Sequence, residues 1–125
     1  MKINRLDHLV LTTEDLAACL HFYVDILDMK SEESNGRYAL RFGNQKINIH
    51  TRKAEFLPAA ENPQYGSLDF CLIIDGSLEK ARDEIRQKGW PLEMDIVKRH
   101  GAIGGMRSFY LRDPDGNLVE ISSYC

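Results

Sequence analysis

Leu6-Asp7-His8-Leu9-Val10-Leu11-Thr12 is followed at once by Thr13-Glu14-Asp15 and then by Leu16, Leu20, Tyr23, Val24 and Leu27. The first run alternates as a strand does. Thr13 is placed to cap a helix whose first turn holds Glu14 and Asp15, and the later apolar residues recur at helical spacing. The same opening returns in the second half. Residues 68–74 read as a strand, Ser77 opens a helix carrying Leu78, Ala81 and Ile85, and Gly89 closes it. A repeated strand-turn-helix opening decides the fold, because each copy is one supersecondary unit with its own apolar face to cover.

Outward from these openings the halves continue alike. Asn35-Gly36 turns the chain, and residues 37–42 and 46–50 are strand-like runs joined by Gly43-Asn44. Residues 53–66 show no period and are punctuated by Pro58, Pro63 and Gly66, which marks a linker. Beyond the second helix, residues 91–97 are a candidate strand and Gly101 to Gly105 are expected to form a mobile loop. Residues 108–111 form a strand, Asp113-Pro114-Asp115-Gly116 a tight turn, and residues 118–122 the last strand. The expected fold class is α+β: one domain over residues 1–125, with module one at about 1–52, a linker at 53–66 and module two at 67–125.

With 43% hydrophobic and 28% charged residues, the chain can bury a core without disulfides. A net charge of -3 argues against nucleic acid or an anionic membrane as the partner, since both need a basic face. It leaves room for a small basic pocket in an acidic protein. Cys19, Cys71 and Cys125 are odd in number and widely spaced, so neither a disulfide framework nor a structural zinc site is expected. No secretory signal or membrane-spanning run is read, and cytoplasm is the default location.

Strand alternation sorts the side chains onto two faces. Leu9, Leu11, Tyr38, Leu40, Phe42, Ile47, Ile49, Phe70, Leu72, Phe109, Leu111, Val119 and Ile121 fall on the side that meets the helices. The other side collects His8, Arg37, Arg41, Lys46, Asn48, His50, Asp69, Cys71, Ser108, Tyr110 and Glu120. An exposed antiparallel face is often polar without further meaning. If this face lines a cleft, His8, His50, Asp69 and Glu120 are candidate ligands for a divalent metal, and Arg37, Arg41 and Lys46 are candidates for an anionic substrate group.

Leu6-Asp7-His8-Leu9-Val10-Leu11, Asp15-Leu16, Phe22-Tyr23 and Leu27-x-Met29, together with Arg112-Asp113-Pro114-Asp115-Gly116-Asn117-Leu118-Val119-Glu120-Ile121, resemble the opening and closing of a vicinal oxygen chelate module. That superfamily includes glyoxalase I, extradiol dioxygenases and the fosfomycin- and bleomycin-resistance proteins. Gly101 to Tyr110 resembles its glyoxalase-like virulence-associated type. The resemblance spans essentially the whole chain. It implies two βαβββ modules whose mixed sheets curl around a metal cleft, and commonly a homodimer. His8 matches the family's first-strand histidine, Glu120 its last-strand glutamate, and Asp69 stands where module two often has histidine. Asn48 stands where glyoxalase I has a ligating glutamate, with His50 two residues on.

The resemblance makes a metal-dependent glyoxalase-like lyase or isomerase the leading expectation. Its substrate would be a small, oxygenated, anionic molecule, its cofactor Ni, Zn, Mn, Fe or Mg, and Glu120 the candidate acid or base. Asp69 adds charge and hardness, which favours Mg, Mn or Fe over an imidazole-rich preference. Arg41, Lys46, Asn48, Ser108 and Tyr110 are the candidate substrate contacts. The rivals are a metal-independent protein that sequesters a small ligand, as bleomycin-resistance relatives do, and a thiol transferase of the fosfomycin-resistance type. Cys71 reads as packing rather than a nucleophile, and His100 as a weak candidate on the expected loop.

Overall fold

The structure, a computed structural model, describes every residue from Met1 to Cys125. Module one runs β1 (His8–Thr12), α1 (Leu16–Leu20), a π-helical turn (His21–Ile26), β2 (Lys30–Ser34), β3 (Arg37–Phe42) and β4 (Gln45–His50). Module two runs β5 (Asp69–Ile73), α2 (Leu78–Gln87), β6 (Met94–Gly101), β7 (Gly104–Arg112) and β8 (Leu118–Tyr124). The fold is α+β, built from a repeated βαβββ module. Met1–Gly66 and Ser67–Cys125 form two compact units, each carrying one four-stranded mixed sheet. The strand orders are β1-β4-β3-β2 and β5-β8-β7-β6. In each sheet the first strand runs parallel to the last, and the remaining pairs are antiparallel. No helix is long and apolar enough to cross a membrane.

The helix in module one begins two residues later than its sequence predicts. Thr13 is still occupied with the strand ladder, its N–H donating to the His50 carbonyl at 2.9 Å. Its hydroxyl accepts from the Asp15 N–H at 3.2 Å, and Asp15 is the cap, accepting from the Ala18 N–H at 3.1 Å. The following π-helical turn brings Phe22 and Tyr23 edge to face, 4.7 Å between ring centroids. These two rings, with Cys19 and Ile26, are buried, as are Leu11, Leu40, Ile47 and Ile49 of the sheet. In module two, Ser77 caps α2 as expected, accepting from the Lys80 N–H at 3.2 Å. Leu78 and Ile85 are buried there, and so are Phe109, Leu111, Val119 and Ile121.

Two stretches differ from the expectation. β2, Lys-Ser-Glu-Glu-Ser, was not legible as a strand because all five residues are exposed and no alternation marks it. It pairs with β3 through Asn35 and Gly36, both at positive φ, as a tight hairpin of matching twist requires. The expected mobile loop from Gly101 to Gly105 is instead the tight end of the β6–β7 hairpin, with Gly101 paired to Gly104 and His100 to Gly105. β6 accordingly runs to Gly101, past the expected end at Val97. Gly101 is glycine for closeness: a Cβ there would overlap the Tyr124 hydroxyl and stand 2.9 Å from the Met106 sulfur.

Candidate functional site

Strand register places each candidate on a shared frame. In module one His8 lies opposite Lys46, Val10 opposite Asn48 and Thr12 opposite His50. In module two Asp69 lies opposite Leu118, Cys71 opposite Glu120 and Ile73 opposite Ser122. Asp69 therefore occupies the position equivalent to His8, and Glu120 the one equivalent to Asn48.

His8 is exposed, and its Nδ1 bonds the Asp7 carboxylate at 2.8 Å, leaving Nε2 open. That bond holds the Asp7 carboxyl below its ordinary value. His8 and His50 are four residues apart along adjoining strands, roughly 13 Å, so module one does not bring its two candidate histidines together. His50 is buried and packs edge to face against Phe56, 5.4 Å between centroids.

Module two ties its polar residues to one another. Ser108 donates to Glu120 Oε2 at 2.7 Å, Ser122 donates to the same oxygen at 3.2 Å, and the two hydroxyls lie 2.6 Å apart. Oε1 of Glu120 is left for another partner. The Cys71 sulfur sits 3.1 Å from the Ser122 hydroxyl; desolvation pushes its thiol above the ordinary range, opposed by that bond, so it is poorly suited to act as a nucleophile. Tyr110 accepts from Arg99 Nε at 2.8 Å, and Arg99 lies across its ring, 5.4 Å from the centroid. Asp69 is exposed and lies diagonally from Glu120 on the same face.

Arg41, a candidate for substrate, is instead committed to Glu32, Nε to Oε2 at 2.6 Å, and this bond holds the Glu32 carboxyl below its ordinary value. Lys46 and Asn48 line a pocket of about 290 Å³ on the open face of module one, with Ser34, Arg37, His50 and Phe56. Sequence reasoning missed Asp7 as the partner of His8, Arg99 as the partner of Tyr110, and Phe56. Arg99 lies just past the strand as read, and Asp7, inside the first strand as read, stands before β1 begins at His8. Phe56 lies in the stretch without periodicity, where nothing in the sequence marks it.

The donor chemistry of His8 and Glu120 fits a divalent ion. Each has one atom fixed by a neighbour and another open, the arrangement that orients metal ligands. Within neither unit do three His, Cys, Asp or Glu side chains converge to hold an ion alone.

The sequence profile of the Glyoxalase/Bleomycin resistance protein/Dioxygenase superfamily matches residues 5–121, and the chain belongs to that superfamily. It is 44% identical over 125 residues to virulence protein STM3117 of Salmonella typhimurium, covering 99% of this chain and 87% of that protein. The crystal structure of that protein superposes with a TM-score of 0.96 over the whole of both chains. Glyoxalase domain-containing protein RDO1 of Mycosarcoma maydis is 42% identical over 124 residues, 99% of this chain and 70% of that one. An integron cassette protein of V. cholerae superposes with a TM-score of 0.95 at 48% identity, over 100% of this chain and 98% of that one. Lactoylglutathione lyase from Agrobacterium tumefaciens shares the fold, with a TM-score of 0.76 at 21% identity over 98% and 96% of the two chains.

Proposed function

We propose that this protein is a metal-dependent, glyoxalase-like enzyme of the lyase or isomerase kind, acting on a small oxygenated molecule. The observation that supports this best is the pair of oriented donors, His8 steadied by Asp7 and Glu120 steadied by Ser108 and Ser122, on strands that hold related places in the two modules. Asp69, at the register position equivalent to His8, is the third proposed ligand. A divalent ion bound by these donors would polarise a substrate oxygen and stabilise negative charge on it. Glu120 would accept or return the proton at Oε1, since Oε2 is already held by two hydroxyls. Tyr110 and Ser108 would shape the substrate's surroundings. His50 is assigned to the pocket of module one rather than to the metal. The same reading makes the protein a cytoplasmic homodimer.

The test is calorimetric titration of Ni, Zn, Mn, Fe and Mg into chelator-treated protein. His8→Ala and Glu120→Ala are each expected to weaken the favoured ion by about 100-fold or more, because losing even an outer partner of a ligand costs 10–100-fold. Both should leave thermal unfolding near wild type, since neither residue belongs to the buried core. Wild-type affinity in both variants would remove the assignment. Asn48, an amide at the position equivalent to Glu120, favours a second reading in which the protein sequesters a ligand without metal. Chelator-sensitive turnover would eliminate it.

A further inference from the structure

We infer that the pocket on the open sheet face of module one seats the carboxylate of a small organic acid, with the Arg37 guanidinium as its principal partner. This rests on reading the protein as one that acts on or holds a small molecule, and it does not require a metal.

Charge comes first. Arginines in this chain that have carboxylates in reach are committed to them: Arg41 to Glu32, Arg82 to Asp83 and Asp95, Arg107 to Glu79. Arg37 is not. Its guanidinium carbon lies 4.1 Å from the centroid of the Phe56 ring. A cation held over a ring spends none of its N–H groups on an acceptor, so the fork that grips a carboxylate stays available. Lys46 lines the same pocket and feels the charges of Glu32 and Asp7 without a direct hydrogen bond to either. The one carboxylate there, Glu32, is already neutralised by Arg41. A pocket lined by Arg37 and Lys46, whose one carboxylate is paired with Arg41, keeps a positive excess in a chain of net charge -3 and selects anions.

Hydrogen bonding points the same way. His50 is 9% exposed, with its ring edge to face against Phe56 and near the Glu55 carboxylate. Its ring borders the pocket, where it can offer an N–H to an anion. Asn48 supplies an amide and Ser34 a hydroxyl on the same wall.

The pocket is also built rather than incidental. Glu55 accepts from the Thr51 N–H and from the Thr51 hydroxyl, both at 2.8 Å, and pairs with Arg52 at 3.3 Å. These bonds fold the chain back directly after β4 and set Phe56 against both His50 and Arg37. A volume of about 290 Å³ is at the lower end of ligand cavities, which run roughly 300–1,000 Å³. It suits a small acid, not a nucleotide. One guanidinium fork flanked by an imidazole and an amide matches the single charge of a carboxylate more closely than a phosphate dianion.

The experiment is NMR titration of the full-length, metal-free protein, labelled with ¹⁵N in arginine and histidine. Malonate and acetate are the probes, inorganic phosphate runs in parallel, and chloride holds the ionic strength constant. Saturable shifts of the Arg37 Nε–H and the His50 ring are expected with a carboxylate probe. Arg37→Ala should weaken that binding at least tenfold and Arg37→Gln nearly as much, with the amide spectrum of module two unchanged as the check on folding. Lys98→Ala removes an equal charge from module two and should leave binding as in wild type. The proposal is overturned if neither carboxylate gives a saturable shift, if Arg37→Ala and Lys98→Ala weaken binding alike, or if phosphate saturates the same signals more tightly. Metal titration of the His8 and Glu120 variants is scored separately, so either reading can fail while the other stands.

Discussion

Module one and module two place different chemistry on the same backbone frame. Where module one has Asn48 opposite Val10, module two has Glu120 opposite Cys71; where module one has Lys46, module two has Leu118. The polar side chains of module two are satisfied by each other, as Ser108, Ser122, Glu120 and Cys71 form one hydrogen-bonded group. In module one the polar side chains pair locally, His8 with Asp7 and Arg41 with Glu32, and Arg37, Lys46 and Asn48 line a pocket. The two modules share one ladder, and in the proposed reading one face holds an anion while the other presents an oriented carboxylate. The interiors differ too. Module one buries two aromatic rings edge to face in a π-helical turn, whereas module two ties α2 to β7 at the surface through the pair of Arg107 and Glu79.

The division is open to direct attack. Ser108→Ala should produce the largest change, a loss of about 10-fold or more in divalent-ion affinity by calorimetry, because Glu120 loses its shorter restraint. An unchanged affinity would mean that module two's hydroxyl group is packing alone. Asn48→Glu gives module one the residue module two carries at that register. It should tighten divalent binding by about 10-fold while weakening malonate in the NMR titration, since a carboxylate would enter the cationic pocket. If both ligands respond in the same direction, the two faces are not opposed in charge.

The smallest effect concerns the helix tie. Arg107 holds the Glu79 carboxyl at about 2, below its ordinary 4.5. A depressed carboxyl binds fewer protons in the folded state, so its contribution to stability is complete above about 4.5 and is lost as pH falls toward 2. The melting temperature of the wild type should therefore fall more steeply across that window than that of Arg107→Ala. The pair is largely exposed, so a difference of about 2 °C or less is expected. Parallel pH profiles for the two proteins would show the tie to be inert.

Much of the frame was readable because alternation and punctuation carry it. Leu9 and Leu11 against His8 and Val10, or Val119 and Ile121 against Glu120, reveal face as well as strand, and Ser77 with Gly89 brackets α2. Where one side of an element touches no core, the signal disappears, as in β2. Where glycine serves close approach rather than freedom, composition misleads, as at Gly101. The candidate ligands were legible as residues on a face, with the resemblance assigning their roles. Their restraints were not, because Asp7 holds His8 from outside the strand and Phe56 reaches His50 from a stretch with no period. Such contacts are fixed by tertiary packing, which local pattern does not record.

The unmarked strand has a consequence of its own. β2 is the outer strand of its sheet, and an outer strand offers its free backbone groups to any other extended chain. Lys30, Glu32 and Glu33 make that rim hydrophilic, and five exposed residues leave no greasy stripe for a stranger to cover. The absence of pattern that hid the strand from sequence reading also protects it in a crowded solution. A newly made chain can complete its first sheet with little risk of recruiting its neighbours into a growing aggregate.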